Sequence, residues 1–261
     1  MNRLEHVFSL LKTTDQKAFV PYIMAGDGGL ENLIDRMVLL EKFGATAIEL
    51  GVPFSDPVAD GPTIQRAGIR ALQNGTTLKG IISEVAKARS VLSIPIILMT
   101  YLNPIYSYGI KEFVKDIHAA GVDGCIIPDL PIEEEDIIAP ELENMEMELI
   151  RLVTPTTPME RIKVISQKGK GFLYAVTVKG ITGARNDYDE ELYHFLKTVQ
   201  KISHVPVLAG FGISNKTQIF QLTKYCDGVI VGSKIVDLFE TNNLDALDEL
   251  MSSFKQEPKR V

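Results

Sequence analysis

Short apolar runs recur along the chain at intervals of roughly 25 to 50 residues, which is typical of repeated strand–helix units. The runs are rich in β-branched residues and lack a strict alternation of polar and apolar positions. This pattern indicates parallel strands that are covered on both faces. Eight such runs occupy residues 19–24, 47–51, 94–99, 124–128, 148–153, 171–176, 205–210 and 228–232.

Between the runs, apolar residues follow helical spacing. One stripe begins at Leu30 and ends before Gly44, and a second begins at Ile110 and ends before Gly121. Glycine at these positions favours a helix end. The segment 62–92 is long enough for two helices.

Two further signals concern helix starts. The first twelve residues form a short amphipathic helix with Leu4 and Phe8 on its apolar face, and they lack the order of a signal peptide. The run Thr157-Pro158-Met159-Glu160 is typical of a capping box, which predicts a helix with Thr157 as its N-cap.

Eight strand–helix units predict an α/β fold of one domain over residues 1–261, a closed (β/α)8 TIM barrel with an extra N-terminal helix. An open, doubly wound parallel sheet is the alternative. In a barrel, catalytic residues belong at the carboxyl ends of the strands and in the loops that follow them.

Composition narrows the class of protein. The 261 residues carry a net charge of −7 without a long basic run, so we expect neither nucleic acid nor a membrane as a partner. No apolar run reaches the roughly 20 residues of a membrane span. Cys125 and Cys226 lie in apolar runs, which indicates buried, reduced thiols in a cytoplasmic protein.

Two acids in one stretch are candidates for acid–base chemistry. Glu49 interrupts an apolar strand, where a buried carboxyl needs a partner or a role in proton transfer. Asp60 follows in a loop stiffened by two prolines. The alternatives are a buried ion pair for Glu49 and a local Asx-turn for Asp60.

Other chemistries find little support. The four histidines lie in helical patterns or before a strand, so neither a Ser–His–acid triad nor a zinc site has a candidate. A divalent metal held by Asp27, Glu49 and Asp129 is an alternative, although these acids sit among apolar neighbours. The acidic run 133–136 is typical of the first turn of a helix.

Two glycine-containing segments after the last two strands indicate a phosphate site. They are residues 210–214 and the pair Gly232-Ser233, which begins a helical turn. Free backbone N–H groups at helix N-termini bind phosphate, and barrels place such a site after strands seven and eight. This site requires neither lysine nor arginine. The alternative is that these glycines only shape tight turns.

The loop after the sixth strand, residues 177–191, is longer than a typical strand–helix loop and contains two glycines. Such loops act as lids that exclude water. We expect Thr182 to bond a loop acid when this lid closes. An ordinary loop without that role is the alternative.

Several blocks together resemble one family. The stretch 48–61 matches the signature of tryptophan synthase α subunits, and the segments 18–22, 60–65, 180–184 and 210–214 resemble family blocks in the right order. The resemblance covers essentially the whole chain. It implies a (β/α)8 barrel that cleaves indole-3-glycerol phosphate into indole and glyceraldehyde 3-phosphate.

The resemblance also implies roles for individual residues. Glu49 would shuttle the proton, Asp60 would stabilise positive charge on the indole nitrogen, and Thr182 would bond Asp60. The phosphate would meet N–H groups of Gly183, Gly212, Gly232 and Ser233. The indole would lie among Tyr22, Ile64, Met99, Ile126, Tyr174, Phe211 and Ile230.

A partner is implied as well: a β subunit that carries pyridoxal phosphate, forms an α2β2 heterotetramer and joins indole to L-serine. This chain would need no cofactor or metal of its own. Positions that correspond to the surface facing that subunit are Pro53, Asp56, Pro57, Asn103, Tyr106 and Pro131.

The sequence departs from better-known members at two positions, where Tyr22 replaces a common phenylalanine and Pro128 replaces a small residue. A free-standing indole-3-glycerol-phosphate lyase is one alternative function. A non-catalytic regulatory subunit is another, and the presence of both Glu49 and Asp60 argues against it.

Overall fold

A closed barrel of eight parallel strands organises the molecule, as the computed structural model shows for residues 2–177 and 190–252. Each strand pairs with the next in chain order, and the eighth pairs with the first. The strands are β1 (Ala18–Met24), β2 (Ile48–Gly51), β3 (Ile96–Met99), β4 (Gly124–Ile126), β5 (Glu148–Val153), β6 (Leu173–Val176), β7 (Val207–Gly210) and β8 (Gly228–Val231).

Helices surround this barrel. Those of the described residues are α1 (Arg3–Thr13), α2 (Leu33–Lys42), α3 (Pro62–Gln73), α4 (Leu78–Ala88), α5 (Leu102–Tyr108), α6 (Ile110–Ala119), α7 (Ala139–Asn144), α8 (Met159–Lys168), α9 (Glu190–Ile202), α10 (Lys216–Leu222), α11 (Ser233–Glu240) and α12 (Leu244–Ser252). Two short 3₁₀ helices precede α2 and α7. The predicted barrel and its N-terminal helix are confirmed, and the open sheet is excluded.

The strand sequences are continuous apolar runs because each strand lies between two hydrophobic cores. One core fills the barrel interior and includes Ile97 and Leu208. The other lies between the strands and the helices and includes Ile96 and Leu98. Since successive side chains of a strand point to opposite faces, a strand with apolar surroundings on both sides shows no polar alternation.

Predicted helix ends agree with the structure at the glycines. Gly44 follows α2 with φ +98°, and Gly121 follows α6 with φ +83°, a region that side chains other than glycine rarely adopt. The segment 62–92 forms two helices, α3 and α4, which Asn74 and Gly75 separate.

The predicted cap of α8 was wrong, whereas the acidic run 133–136 does enter the first turn of a helix, with Glu135 and Asp136 in that turn. Helix α8 has Pro158 as its N-cap and no capping box, because the Thr157 hydroxyl accepts a hydrogen bond from the Thr154 backbone N–H at 3.0 Å. The acidic run 133–136 enters a 3₁₀ helix, in which Glu135 is buried and paired with Arg151 at 2.8 Å and with Lys168. Ion pairing therefore accounts for this acid better than a helix dipole does.

Helix α1 closes the amino-terminal end of the barrel, and we call it the plug. Its Leu4 and Phe8 belong to the interior core, and the Phe8 ring lies 5.6 Å from that of Phe172, which precedes β6. Polar contacts hold the same end: Arg3 pairs with buried Asp123 at 3.1 Å. Among the described residues, no helix has the length and apolar character that crossing a membrane requires.

We expect Phe8→Ala to lower the free energy of unfolding by about 3 kcal/mol, because it leaves a cavity in the plug of the barrel interior. Urea unfolding measures this loss. Leu10→Ala, on the exposed face of the same helix, serves as the control and should change stability by less than about 0.5 kcal/mol. Equal effects of the two substitutions would contradict the assignment of α1 as a plug.

Candidate active site

A cavity of about 610 Å³ opens at the carboxyl end of the barrel. Six of the seven predicted indole-pocket residues line it: Tyr22, Ile64, Met99, Tyr174, Phe211 and Ile230. The seventh, Ile126, is the last residue of β4, is fully buried in the interior core and is not among the lining residues. Leu152 and Val176 line the wall instead, and neither was predicted from the sequence.

Glu49 lies on the cavity wall in the middle of β2. Its strand neighbours in register are Tyr22 of β1 and Ile97 of β3, and its side chain is 1% exposed. Its Oε2 atom has no hydrogen-bond partner, and no ion pair of the described residues includes Glu49. Burial, and secondarily the charge of Asp60, raises the pKa of Glu49 to about 8. The predicted alternative of a buried ion pair is therefore wrong for the described part of the chain.

Asp60 reaches the same cavity from the loop between β2 and α3. Its backbone is fixed by two hydrogen bonds, from its own N–H to the Pro57 carbonyl at 3.1 Å and from the Gln65 side-chain amide to its carbonyl at 2.8 Å. Burial raises the pKa of Asp60 to about 6, and interaction with the Tyr101 hydroxyl opposes that rise. Within the described residues no backbone N–H bonds the Asp60 carboxylate, which disfavours the Asx-turn alternative.

Tyr101 is a functional neighbour that sequence reasoning missed. It lies two residues after the end of β3, it is buried, and its hydroxyl accepts a hydrogen bond from the Ala59 backbone N–H at 3.0 Å. Its ring lies 5.3 Å from that of Phe54. Tyr101 thus contacts the loop that carries Asp60 at two points, Phe54 near its start and Ala59 near its end. The available signal was its place two residues after a strand, at the catalytic end of the barrel.

Two strand glycines make room for phenol rings in the cavity. A Cβ atom on Gly51 would lie 2.0 Å from the Tyr22 hydroxyl, and one on Gly210 would lie 2.4 Å from the Tyr174 hydroxyl. In both cases the phenol comes from the preceding strand. Any larger residue at these positions would displace the ring from the cavity wall.

The predicted phosphate end forms a second part of the cavity. Gly212, Gly232 and Ser233 all line it, and Gly232 is the N-cap of α11. Phe211 and Gly212 have φ values of +77° and +74°, and Phe211 is held there because the Thr177 hydroxyl bonds the carbonyl oxygens of Gly210 and Phe211. Backbone N–H groups from two loops therefore border one space, as an anion site requires.

Lys234 also lines the phosphate end, although no cation was expected there. It is half-buried in the first turn of α11, directly after Gly232-Ser233. That position, next to a suspected anion site, was the signal available in the sequence. The predicted phosphate ligand Gly183 and the predicted lid residue Thr182 lie outside the described residues.

The proposed metal ligands Asp27 and Asp129 are bound to other groups of the protein. Asp27 is buried and binds Arg70 through two hydrogen bonds of 2.7 and 2.9 Å. Asp129 accepts a hydrogen bond from the Leu102 backbone N–H at 3.0 Å. Over residues 2–177 and 190–252, no group of three or more potential ligands is arranged to hold a metal ion.

The predicted interface residues follow the carboxyl ends of three strands: they lie in the loop after β2, in helix α5 after β3 and in the loop after β4. Asp56, Asn103, Tyr106 and Pro131 are exposed, and Pro57 is half-buried. Pro53 is buried within the chain, so it shapes the loop and does not present a surface. Val58, which is 70% exposed, adds an apolar side chain that the prediction had not included.

Comparisons with known proteins agree on one family. The family model described as tryptophan synthase alpha chain matches residues 8–259. Tryptophan synthase alpha chains of Bacillus cereus and Bacillus anthracis are each 51% identical over 241 residues, which make up 92% of this chain and 93% of the relative.

Solved structures are similar over nearly the full length. The alpha subunit of tryptophan synthase from Legionella pneumophila has a TM-score of 0.88 and 36% identity, and the match covers 97% of both chains. A chain of ligand-free tryptophan synthase from M. tuberculosis has a TM-score of 0.87 and 32% identity, covering 97% of this chain and 98% of that one.

The raised pKa of Glu49 has a consequence for stability. A carboxyl whose pKa is higher in the folded than in the unfolded state stabilises the fold at low pH, and this contribution is lost as pH rises from about 4.5 to about 8. We expect Glu49→Gln, which cannot ionise, to be more stable than the wild type by up to about 5 kcal/mol above pH 8 and about equally stable below pH 4.

Urea unfolding at several pH values measures this difference. Glu134→Gln removes an exposed carboxyl and serves as the control, with no comparable dependence on pH. A stability difference between Glu49→Gln and the wild type that stays constant with pH would contradict the raised pKa.

Proposed function

Because this chain belongs to the tryptophan synthase alpha chain family, we propose that Glu49 and Asp60 carry its reaction. The chain is a lyase of tryptophan biosynthesis that cleaves indole-3-glycerol phosphate into indole and glyceraldehyde 3-phosphate. The observation that carries the residue assignment is the pair of buried carboxyls in one cavity, with pKa values raised to different extents.

The reaction is a retro-aldol cleavage, and it needs two proton transfers. A proton must add to C3 of the indole, which places positive charge on the ring nitrogen. The glycerol hydroxyl next to the breaking bond must then lose its proton, so that the bond electrons return to the ring and an aldehyde forms. One group can serve both steps if it first gives a proton and then accepts one.

Glu49 suits this shuttle. With a pKa of about 8 it is protonated at neutral pH and can donate to C3; the resulting carboxylate, in a poorly hydrated position, is a base for the hydroxyl proton. Asp60, with a pKa of about 6, is ionised at the same pH and can stabilise the positive charge on the indole nitrogen. Different environments thus give two carboxyls opposite roles.

The rest of the cavity suits the substrate's two ends. The indole ring would lie against apolar side chains, among them Ile64, Met99, Phe211 and Ile230, which exclude water from the carboxyls. The phosphate would lie at Gly212, Gly232 and Ser233, where free N–H groups and the positive end of a helix favour an anion.

The family works with a beta subunit. For this chain we infer an α2β2 heterotetramer in which the partner carries pyridoxal phosphate and this chain needs no cofactor. Exposed side chains around the cavity mouth support that surface, chiefly Val58 and Tyr106, which are 70% and 53% exposed. Val58 belongs to the same loop as Asp60, so contact at this surface would bear directly on a catalytic group.

Cytoplasmic residence is part of the same proposal. Cys125 and Cys226 are both buried and unpaired, as expected of thiols in a reducing compartment. A free-standing lyase remains the second candidate, and unassisted activity separates the two.

We expect kcat/KM for the cleavage to fall above pH 8, because Glu49 must be protonated to begin the reaction. Glu49→Gln should lower kcat by roughly 10²–10⁴-fold at every pH while its circular dichroism stays that of the wild type. Indole release from indole-3-glycerol phosphate, with a β subunit present, measures both effects. Near-normal turnover by the variant would overturn the catalytic assignment.

The partner proposal has its own measurement. Indole release should be slow without a β subunit and should rise at least about 10-fold when a tryptophan synthase β subunit is added, since the contact would act on the loop of Asp60. Tyr106→Asp, at an exposed residue that is not among the cavity-lining residues, should reduce this activation without lowering the unassisted rate. High activity without a β subunit, unchanged by its addition, would favour the free-standing lyase.

A further inference from the structure

Lys234 is a charged residue of the cavity that the mechanism above does not use. We propose that its ammonium group binds the phosphate of the substrate, as a cationic addition to the backbone N–H groups of the site. This inference rests on the proposed function, because it takes indole-3-glycerol phosphate as the ligand. It departs from the expectation that the phosphate site requires neither lysine nor arginine.

The position of Lys234 is unfavourable without an anion. It is the second residue of α11, after the N-cap Gly232 and the first residue Ser233, and the first turn contains no acid. Helix N-termini carry partial positive charge and free N–H groups, so a lysine there is repelled by its own helix. An anion held between the N–H groups and the ammonium group would turn both into attractive interactions.

No described residue offers Lys234 a compensating partner. It takes part in none of the salt bridges or hydrogen bonds found among residues 2–177 and 190–252. Asp237, one turn further along α11, also lines the cavity, but no salt bridge of the described residues joins it to Lys234. Within the described residues the lysine charge therefore has no salt-bridge partner, and a bound anion would supply one.

The charges on the cavity wall also favour Lys234 as a ligand of the phosphate. The charged residues on its wall are Glu49, Asp60, Asp237 and Lys234, which makes Lys234 the one cation among the lining residues that the structure describes. A phosphate group carries up to two negative charges at neutral pH. Entering a cavity that holds the ionised Asp60 and no cation would cost electrostatic energy, and a lysine at the phosphate end offsets that cost.

Lysine suits the role at this site. Orientation of the phosphate is already determined by the N–H groups around Gly212 and Gly232, so a flexible point charge is sufficient. Lys234 is half-buried, so its flexible side chain keeps access to solvent and can adapt to the position of the ligand. Because the phosphate does not react, the interaction strengthens binding of substrate and transition state alike.

The test compares Lys234→Gln, Lys234→Arg and Lys79→Gln with the wild type in the cleavage assay with a β subunit. Lys79 is exposed on α4, away from the cavity lining, so its variant has the same net charge as Lys234→Gln. We expect Lys234→Gln to raise KM at least about 10-fold and to change kcat less than about 2-fold. Lys234→Arg should restore most of the affinity, and Lys79→Gln should match the wild type.

The dependence of KM on ionic strength separates an electrostatic role of Lys234 from a purely structural one. The KM of the wild type should rise as ionic strength increases, whereas the KM of Lys234→Gln should rise much less. Inorganic phosphate, used as a competitive inhibitor, should lose affinity by a similar factor in Lys234→Gln. An unchanged KM in that variant, or a KM increase that Lys79→Gln reproduces, would overturn the proposal.

Failure of the proposed function would look different. In that case the wild type would not cleave indole-3-glycerol phosphate, whatever residue stands at position 234. Inorganic phosphate would then be tested by its effect on thermal unfolding. A rise in Tm for the wild type that Lys234→Gln lacks would support Lys234 as a phosphate ligand, and equal rises in both would overturn it.

Discussion

The burial of one carboxyl group inside the barrel determines most of what this site can do. Glu49 lies between Tyr22 and Ile97 in the strand register, and its Oε2 atom has no hydrogen-bond partner. A carboxylate there is poorly solvated, so the proton is held up to a pH of about 8. The same burial opposes folding at high pH, and the two apolar cores of the barrel must supply the stability that offsets it. The burial of Glu49 is thus the common cause of its reactivity and of the stability that the fold loses at high pH.

The barrel separates stability from chemistry along its axis. At the amino-terminal end, α1 inserts Leu4 and Phe8 into the interior, and charged groups such as Asp123 are paired with arginines. At the carboxyl end, Glu49 has no ion pair among the described residues, and glycines leave space for phenol rings instead of filling it. A substitution at the plug can therefore change stability without reaching the cavity, because several layers of interior side chains lie between the two ends.

How far the sequence predicts this structure depends on the range of the interactions. The strands were predictable because burial on both faces leaves a continuous apolar run, and Glu49 was conspicuous because it interrupts one. The role of Thr157 was predicted wrongly because its hydroxyl has two possible local donors, and the Thr154 N–H was the one that it binds. Tyr101 was missed because its role depends on Ala59, 42 residues earlier in the chain. An aromatic residue after a strand is by itself equally typical of a core. Lys234 was missed because an isolated lysine in a helix is usually a solvated surface residue.

The distribution of charge in the cavity also constrains how a substrate can bind. The carboxyls of Glu49 and Asp60 belong to β2 and its loop, whereas Gly212, Gly232 and Lys234 follow β7 and β8. A molecule with an apolar ring at one end and a phosphate at the other meets repulsion at the carboxyls if it enters the wrong way round, and attraction at both ends if it enters correctly. The apolar wall between the two ends, which includes Phe211 and Ile230, then holds the ring beside the proton donor. Orientation thus follows from the order of the strands around the barrel, before any contact specific to the reaction is made.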